Sequence, residues 1–199
     1  MDLITWIILI AIVLYLWNSK WFRGLLGELQ VRLLLKLMLP SSKYLVLNNV
    51  ILPSGHGSTE IDHIIFSRHG IFVIETKNRG GWIYGSQYDK QWTQTFNRFS
   101  KYKFQNPLRQ NYKHTKTITE ILSIPEKHVH SIVAFGWRAK FKTDLPDNVM
   151  RFHHIPSYVK SHYQNVFSDD VNTKHINKIE QLRQRGILAR VGHILSLRD

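Results

Sequence analysis

The spacing of apolar and polar positions changes several times along the chain, and each change marks an element. The first apolar run, "LITWIILIAIVLYLW" (3–17), is continuous rather than periodic, with Thr5 its one polar interruption. A bilayer span needs about 17–20 apolar residues, and Trp21 and Phe22 supply interfacial aromatics that extend this run. "FRGLLGELQVRLLLKLMLP" (22–40) carries leucines at three- and four-residue spacing and stops at a proline, which predicts a helix. From residue 44 the period shortens. "YLVLNNVIL" (44–52) reads as a strand, "PSGHGS" (53–58) as a loop, and 59–66 and 71–77 as two strands around "SRHG" (67–70). Gly-Gly and Gly-Ser punctuate "NRGGWIYGSQYDKQWTQTF" (78–96), predicting a further hairpin. Helical spacing returns in "NPLRQNYKHTKTITEILS" (106–123), opened by Asn-Pro. "VHSIVAFG" (129–136) reads as a buried strand, "VMRFHHI" (149–155) as a weaker one, and "INKIEQLRQRGILARVGHILSL" (176–197) as helical. The order predicts a mixed α/β domain whose sheet begins antiparallel.

The strands at 59–66 and 71–77 carry charges where core is otherwise being built. A two- or four-residue turn gives one register, pairing Phe66 with Ile71, Asp62 with Glu75 and Glu60 with Lys77. Side chains alternate along a strand, so Ile64, Phe66, Ile71 and Val73 occupy one end of a face and the charged residues the other. The opposite face, with Ile65, Phe72 and Ile74, is also apolar, as expected of a sheet covered on both sides. Directly opposed like charges destabilise a sheet, so Asp62 and Glu75 must share a proton or hold a cation. A hard ion such as Mg²⁺ takes oxygen ligands and is commonly held by one or two carboxylates with substrate phosphate. The competing expectation is a solvated sheet end with an ordinary Glu60–Lys77 ion pair.

Charge narrows the partners. Lys and Arg number 27 against 14 Asp and Glu, a net +13 that favours polyanions. The absence of cysteine excludes disulfides and thiolate metal sites. Asp2 precedes the apolar run and Lys20 and Arg23 follow it, with no small-residue cleavage site, so the run is expected to be a single-pass anchor in the cell membrane rather than a signal peptide. The positive-inside rule then places the remainder in the cytoplasm. The stretch "FNRFSKYKFQNPLRQNYKHTK" (96–116) interleaves aromatics with Arg98, Lys101, Lys103, Arg109, Lys113 and Lys116 and contains no acid, a composition suited to a nucleic-acid strand. No histidine spacing resembles a metal motif, and His153 and His154 would point to opposite faces of a strand.

Asp62 followed by Glu75-Thr76-Lys77 resembles the PD-(D/E)XK nuclease signature. More narrowly, "GELQV" (27–31), "GSTEIDHIIFSRHGIFVIETKN" (57–78), "GWIYG" (81–85), Trp92 and "QNPLRQNYKH" (105–114), in that order, resemble the NERD (nuclease-related) domain. The resemblance implies a restriction-endonuclease-like α/β core, a mixed sheet flanked by helices, behind an N-terminal transmembrane helix. It divides the chain into the anchor (1–20), the nuclease-like core (21–136) and an extension (137–199) that completes or packs on the core. It also implies that Asp62, Glu75 and the Thr76 carbonyl ligate Mg²⁺ or Mn²⁺, that Lys77 positions the attacking water, and that Glu28 and Gln110 contribute to catalysis. His114 stands where related nucleases carry Tyr after such a Gln. The function expected is metal-dependent hydrolysis of nucleic acid, DNA favoured. The alternative is an inactive nucleic-acid-binding or membrane-associated scaffold that keeps the fold.

Overall fold

The computed structural model describes residues 2, 4–10, 19–55, 57–97 and 99–184. Residues 4–10 are helical, while 11–18 of the expected anchor and 185–197 of the expected C-terminal helix lie outside the described residues. Among the described residues no helix is long and apolar enough to cross a membrane.

In chain order the elements are α1 (Lys20–Met38), β1 (Leu45–Ser54), β2 (Gly57–Ser67), β3 (Gly70–Lys77), β4 (Gly81–Tyr84), β5 (Gln91–Thr95), β6 (Lys101–Gln105), α2 (Pro107–Leu122), β7 (Val129–Phe135), β8 (Ala139–Phe141), β9 (Val149–Arg151), α3 (Ile155–Ser161) and α4 (Asp169–Leu182). The main sheet has the order β1-β2-β3-β7-β9. Its first three strands are antiparallel, and β7 and β9 join in parallel after the α2 crossover. One face buries Ile65, Phe72, Ile74 and Ile132 against Val31 and Leu35 of α1 and Ile155 and Val159 of α3. The other buries Ile64, Phe66, Ile71 and Val73 against Ile118 and Leu122 of α2 and Ile179 of α4. Helices therefore cover both faces, as the doubly apolar strands require.

Where the sequence predicts one more hairpin, the structure has a second sheet of order β6-β5-β4-β8. β6 falls in the basic, aromatic stretch expected to meet a nucleic-acid strand, where no strand of the sheet is predicted. Ile83, Trp92, Phe104 and Ala139 of this sheet form a third core with Val133 and Phe135 of β7, which ties the two sheets together. Residues 149–155 do not form the single strand expected: β9 ends at Arg151 and a 3-10 turn, Phe152–His154, leads into α3. His153 and His154 lie on that turn with ring centroids 4.0 Å apart, not on opposite strand faces.

Asn106 shows how the "QNP" stretch fixes the geometry around α2. It is fully buried, and its Oδ1 accepts from the Leu108 N–H at 2.9 Å, capping the helix. Its Nδ2 donates to the carbonyls of Asp89 at 2.7 Å and Ser86 at 3.1 Å, holding the β4–β5 loop against the helix start. Asn106→Ala removes the cap and strands those carbonyls, so unfolding by urea should show a loss of about 2–4 kcal/mol. Asn106→Asp keeps the cap acceptor but turns a buried carboxylate oxygen toward those carbonyls, and should lose at least as much.

Candidate active site

The geometry begins at the β2–β3 turn. Ser67 pairs with Gly70 across Arg68 and His69, and Phe66 with Ile71, the register the strand pattern predicts. Gly70 sits at φ +134°, and a Cβ there would lie 2.7 Å from the His130 ring, so this corner requires glycine. The ladder runs back to His63–Ile74 and stops one pair short of Asp62 and Glu75. On its other side β2 pairs with β1 on both flanks of Asp62 but not at Asp62 itself, opposite Asn49. Asn49 takes up a left-handed conformation, φ +51°, which asparagine tolerates better than most residues.

That interruption changes which residues face α2. Ile61 shares a core with Ile64 and Phe66, although strict alternation would send Ile61 and Ile64 to opposite faces. Thr59, in phase with Ile61, reaches His114 of α2. Glu60 instead pairs with Ile51 of β1, and the expected Glu60–Lys77 cross-strand pair is replaced by Lys77 with Glu75 and Gln110. The site thus differs from a solvated sheet end.

Glu75 is 2 % exposed, and both its oxygens are engaged. Lys77 Nζ donates to Oε1, and His114 Nε2 lies 3.2 Å from Oε2. Lys77 Nζ also donates to Gln110 Oε1 at 3.0 Å. His114 Nδ1 lies 2.9 Å from Thr59 Oγ1, so a ring protonated at Nε2 accepts from threonine and donates to glutamate. The Asp62 Oδ2 accepts from the Thr76 N–H at 2.7 Å. Glu28 of α1 accepts from Asn49 Nδ2 at 2.7 Å, beside the interruption. The structure therefore brings Asp62, Glu75, Lys77 and Gln110 together, with Glu28 near enough for its charge to act on Asp62.

Protonation divides the two carboxyls. Burial, and then the charge of Glu75, push Asp62 well above the usual aspartate range; Glu28 adds to the rise and the Thr76 N–H opposes it. Burial would also raise Glu75, but Lys77 and the His114 hydrogen bond outweigh it and hold that carboxyl low. The surroundings therefore favour holding a shared proton on Asp62 rather than on Glu75. His63, next in sequence, is buried; burial and Arg32 push it down to about 4, and its Nδ1 lies 2.7 Å from Asn48 Oδ1.

Among the described residues no three His, Asp or Glu side chains group closely enough to hold a metal ion by themselves. A buried Glu75 carboxylate beside the half-buried Asp62 carboxyl, whose value is raised by desolvation and then by the Glu75 charge, nonetheless fits a hard divalent ion that completes its shell with water and phosphate oxygens. Thr76 contributes its N–H to Asp62, and its Oγ1 is buried without a hydrogen-bond partner.

The clamp formed by His114 is the residue pairing that sequence reasoning left without a role; its signal was the four-residue spacing from Gln110, which places both on one helix face. Of the expected nucleic-acid contacts, Lys101 and Lys103 are exposed on β6, and Arg109 and Lys113 on the outer side of α2. Lys116 is engaged by Glu126 and lies 5.6 Å from the Tyr112 ring centroid, while Arg98 lies outside the described residues.

A family model described as "Nuclease-related domain" matches residues 23–136. An uncharacterized protein of Bacillus anthracis is 47 % identical over 120 residues, which is 56 % of this chain and 55 % of that protein. The match thus spans about half the length of the relative. No solved structure matches the chain.

Proposed function

The chain belongs to the nuclease-related domain family, and from that premise we propose that it is a divalent-metal-dependent nuclease that hydrolyses phosphodiester bonds, with DNA the favoured substrate and Mg²⁺ or Mn²⁺ the ion. The observation that carries this reading is the buried Asp62–Glu75 pair with Lys77 and Gln110 against it. When bound, a divalent ion supplies Lewis-acid polarisation of the phosphate and a more acidic water. Asp62, Glu75 and the Thr76 carbonyl would hold it, as in the PD-(D/E)XK pattern that the motif resembles. Any proton on Asp62 would have to leave for such an ion to bind, because cation and proton compete for the same oxygens. Lys77 places fixed positive charge where negative charge develops on phosphate and orients the attacking water. Gln110 keeps the Lys77 head turned to the site. Leu3–Trp17 anchors the chain in the membrane, with the nuclease core, 21–136, and its extension, 137–199, on the cytoplasmic side.

One observation favours a second reading, a binding module without turnover: Lys77 and His114 already satisfy both Glu75 oxygens. Full-length protein in detergent, incubated with linear, nicked and single-stranded DNA and with RNA, separates the two. Cleavage that requires Mg²⁺ or Mn²⁺ and stops in EDTA supports the nuclease; binding without cleavage supports the module. Recovery of the full-length chain in the soluble fraction without detergent would overturn the anchor.

His114 acts through Glu75 and is a positioning residue. His114→Ala should lower cleavage about 10–100-fold, as loss of an outer hydrogen bond to a metal ligand typically does. The apparent Mg²⁺ requirement should rise with it, and His114→Gln, which can still donate, should recover part of both.

A further inference from the structure

The second sheet turns one face to the third core and the other outward. Cross-strand partners share a face, so the outward residues can be read from the register. One row runs Lys140, Trp82, Thr95, Lys101 across β8, β4, β5 and β6, with Thr95 itself buried among its neighbours; the next runs Tyr84, Thr93, Lys103. Between the two aromatics Ile83 points inward and is fully buried. Trp82, inside β4, and Tyr84, at its end, are 40 % and 37 % exposed. Lys142, just past β8, lies with Nζ 5.1 Å from the Trp82 ring centroid. No Asp or Glu occurs in any of the four strands.

We propose that this face is a stacking platform for single-stranded nucleic acid. Two aromatic rings at i and i+2 on a flat sheet offer π-faces to successive unpaired bases, and the flanking Lys101, Lys103, Lys140 and Lys142 neutralise the phosphates beside them. A paired base is already stacked and cannot use such rings, so the face selects unpaired strands. Its position favours nucleic acid over any other polyanion. β3, which carries Glu75 and Lys77, passes into β4 through Asn78, Arg79 and Gly80, and β6 passes through Asn106 into α2, which carries Gln110 and His114. Short connections thus join two strands of the platform to the elements that carry the carboxylate pair and its partners. The role of those elements rests on the nuclease reading above; the platform itself does not.

The test is fluorescence anisotropy of the full-length chain with labelled oligo-dT, oligo-U and a duplex in EDTA, so that cleavage plays no part. Combined Trp82→Ala and Tyr84→Ala should weaken single-strand binding by at least about tenfold, given stacking of about 1–3 kcal/mol per base, and leave duplex binding nearly unchanged. Trp82→Phe with Tyr84→Phe keeps both rings and should bind as the parent does, which separates stacking from loss of fold. Lys140→Gln with Lys142→Gln should lower the salt slope by about 1.4, at roughly 0.7 per single-strand phosphate contact. The DNA and RNA arms identify which strand is preferred. Unchanged single-strand affinity in the alanine pair would overturn the proposal. So would quenching of tryptophan fluorescence by brominated anionic lipid that disappears in Trp82→Phe, which would seat the face on a bilayer. A parent that binds through the platform but never cleaves removes the nuclease reading and leaves the platform standing. A parent that cleaves single strands with kinetics the alanine pair does not alter does the reverse.

Discussion

Glu75→Gln is expected to reduce Mg²⁺-dependent cleavage by about a thousandfold and Lys77→Met by about a hundred- to a thousandfold, each leaving oligonucleotide binding within about threefold. The two losses arise differently. Glutamine in place of Glu75 removes the one carboxylate that is ionised in the buried pair, so the ion loses the ligand that needs no deprotonation. Methionine in place of Lys77 keeps the stem and removes the charge directed at the phosphate; one such fixed donor is typically worth about 10²–10³ in rate. The variants should also part company in stability. Lys77→Met leaves a buried Glu75 carboxylate with His114 as its remaining hydrogen-bond partner, an uncompensated charge worth about 3–5 kcal/mol in comparable pairs. Glu75→Gln leaves Lys77 at a partly solvated position and should cost less. Cleavage assays beside urea unfolding of the same samples check both statements, and a Glu75→Gln variant that still cleaves at the parental rate would remove the carboxylate pair from the mechanism.

The β2–β3 hairpin was readable because two signals agreed there. The alternation of Ile, Phe and Val set the faces, and a turn closing on a glycine set the register. What the pattern could not convey is the break at Asn49. A left-handed asparagine in the middle of a strand leaves no periodic trace, yet it frees Asp62 from the β1 ladder and turns Ile61 and Thr59 toward α2. Reading through that break sent Glu60 to Lys77, whereas the register gives Glu60 to β1. The second sheet was hidden for another reason. β6 has only Phe104 buried, and the alternation in "KYKFQ" is five residues long inside a basic, aromatic stretch whose charge drew the reading toward nucleic-acid contact instead of a strand. β8, three residues long, is made a strand by pairing with β4, a contact between residues far apart in the chain that no local window contains. The same gap concealed the lysine–aromatic rows of the outer face, since Trp82 and Lys140 become neighbours only when β8 docks.

Asp62→Asn is expected to have opposite effects with and without divalent ion. In ion-free protein, desolvation and then the charge of Glu75 raise the Asp62 carboxyl well above the usual aspartate range. Its folded-state value lies well above the unfolded one of about 3.9, so the folded chain binds this proton more tightly. That contribution is complete at low pH and is lost as pH rises through the raised folded value. Glu75 runs the other way. Its folded value is lowered, so its contribution is present above the unfolded value of about 4.3 and is lost as pH falls through the folded one. Without ion, stability should therefore peak in mildly acid solution and decline toward alkaline pH as Asp62 is forced to ionise. Asparagine cannot ionise, and its carbonyl can still accept from the Thr76 N–H. In EDTA the variant should lose the alkaline decline and exceed the parent there by about 1–3 kcal/mol, the scale of an unpaired polar or charged group relieved of burial. Saturating Mg²⁺ reverses the order. The parent should gain about 2.7 kcal/mol at an ion concentration of 100 times the dissociation constant, more at alkaline than at acid pH because the ion displaces the Asp62 proton. The variant, with one anionic ligand fewer, should gain little. Urea unfolding at mildly acid and mildly alkaline pH, with and without Mg²⁺, gives all four quantities. A parent whose Mg²⁺-induced gain does not change with pH would mean that Asp62 carries no proton for the ion to displace. The site would then be two independent carboxylates rather than a pair sharing one proton.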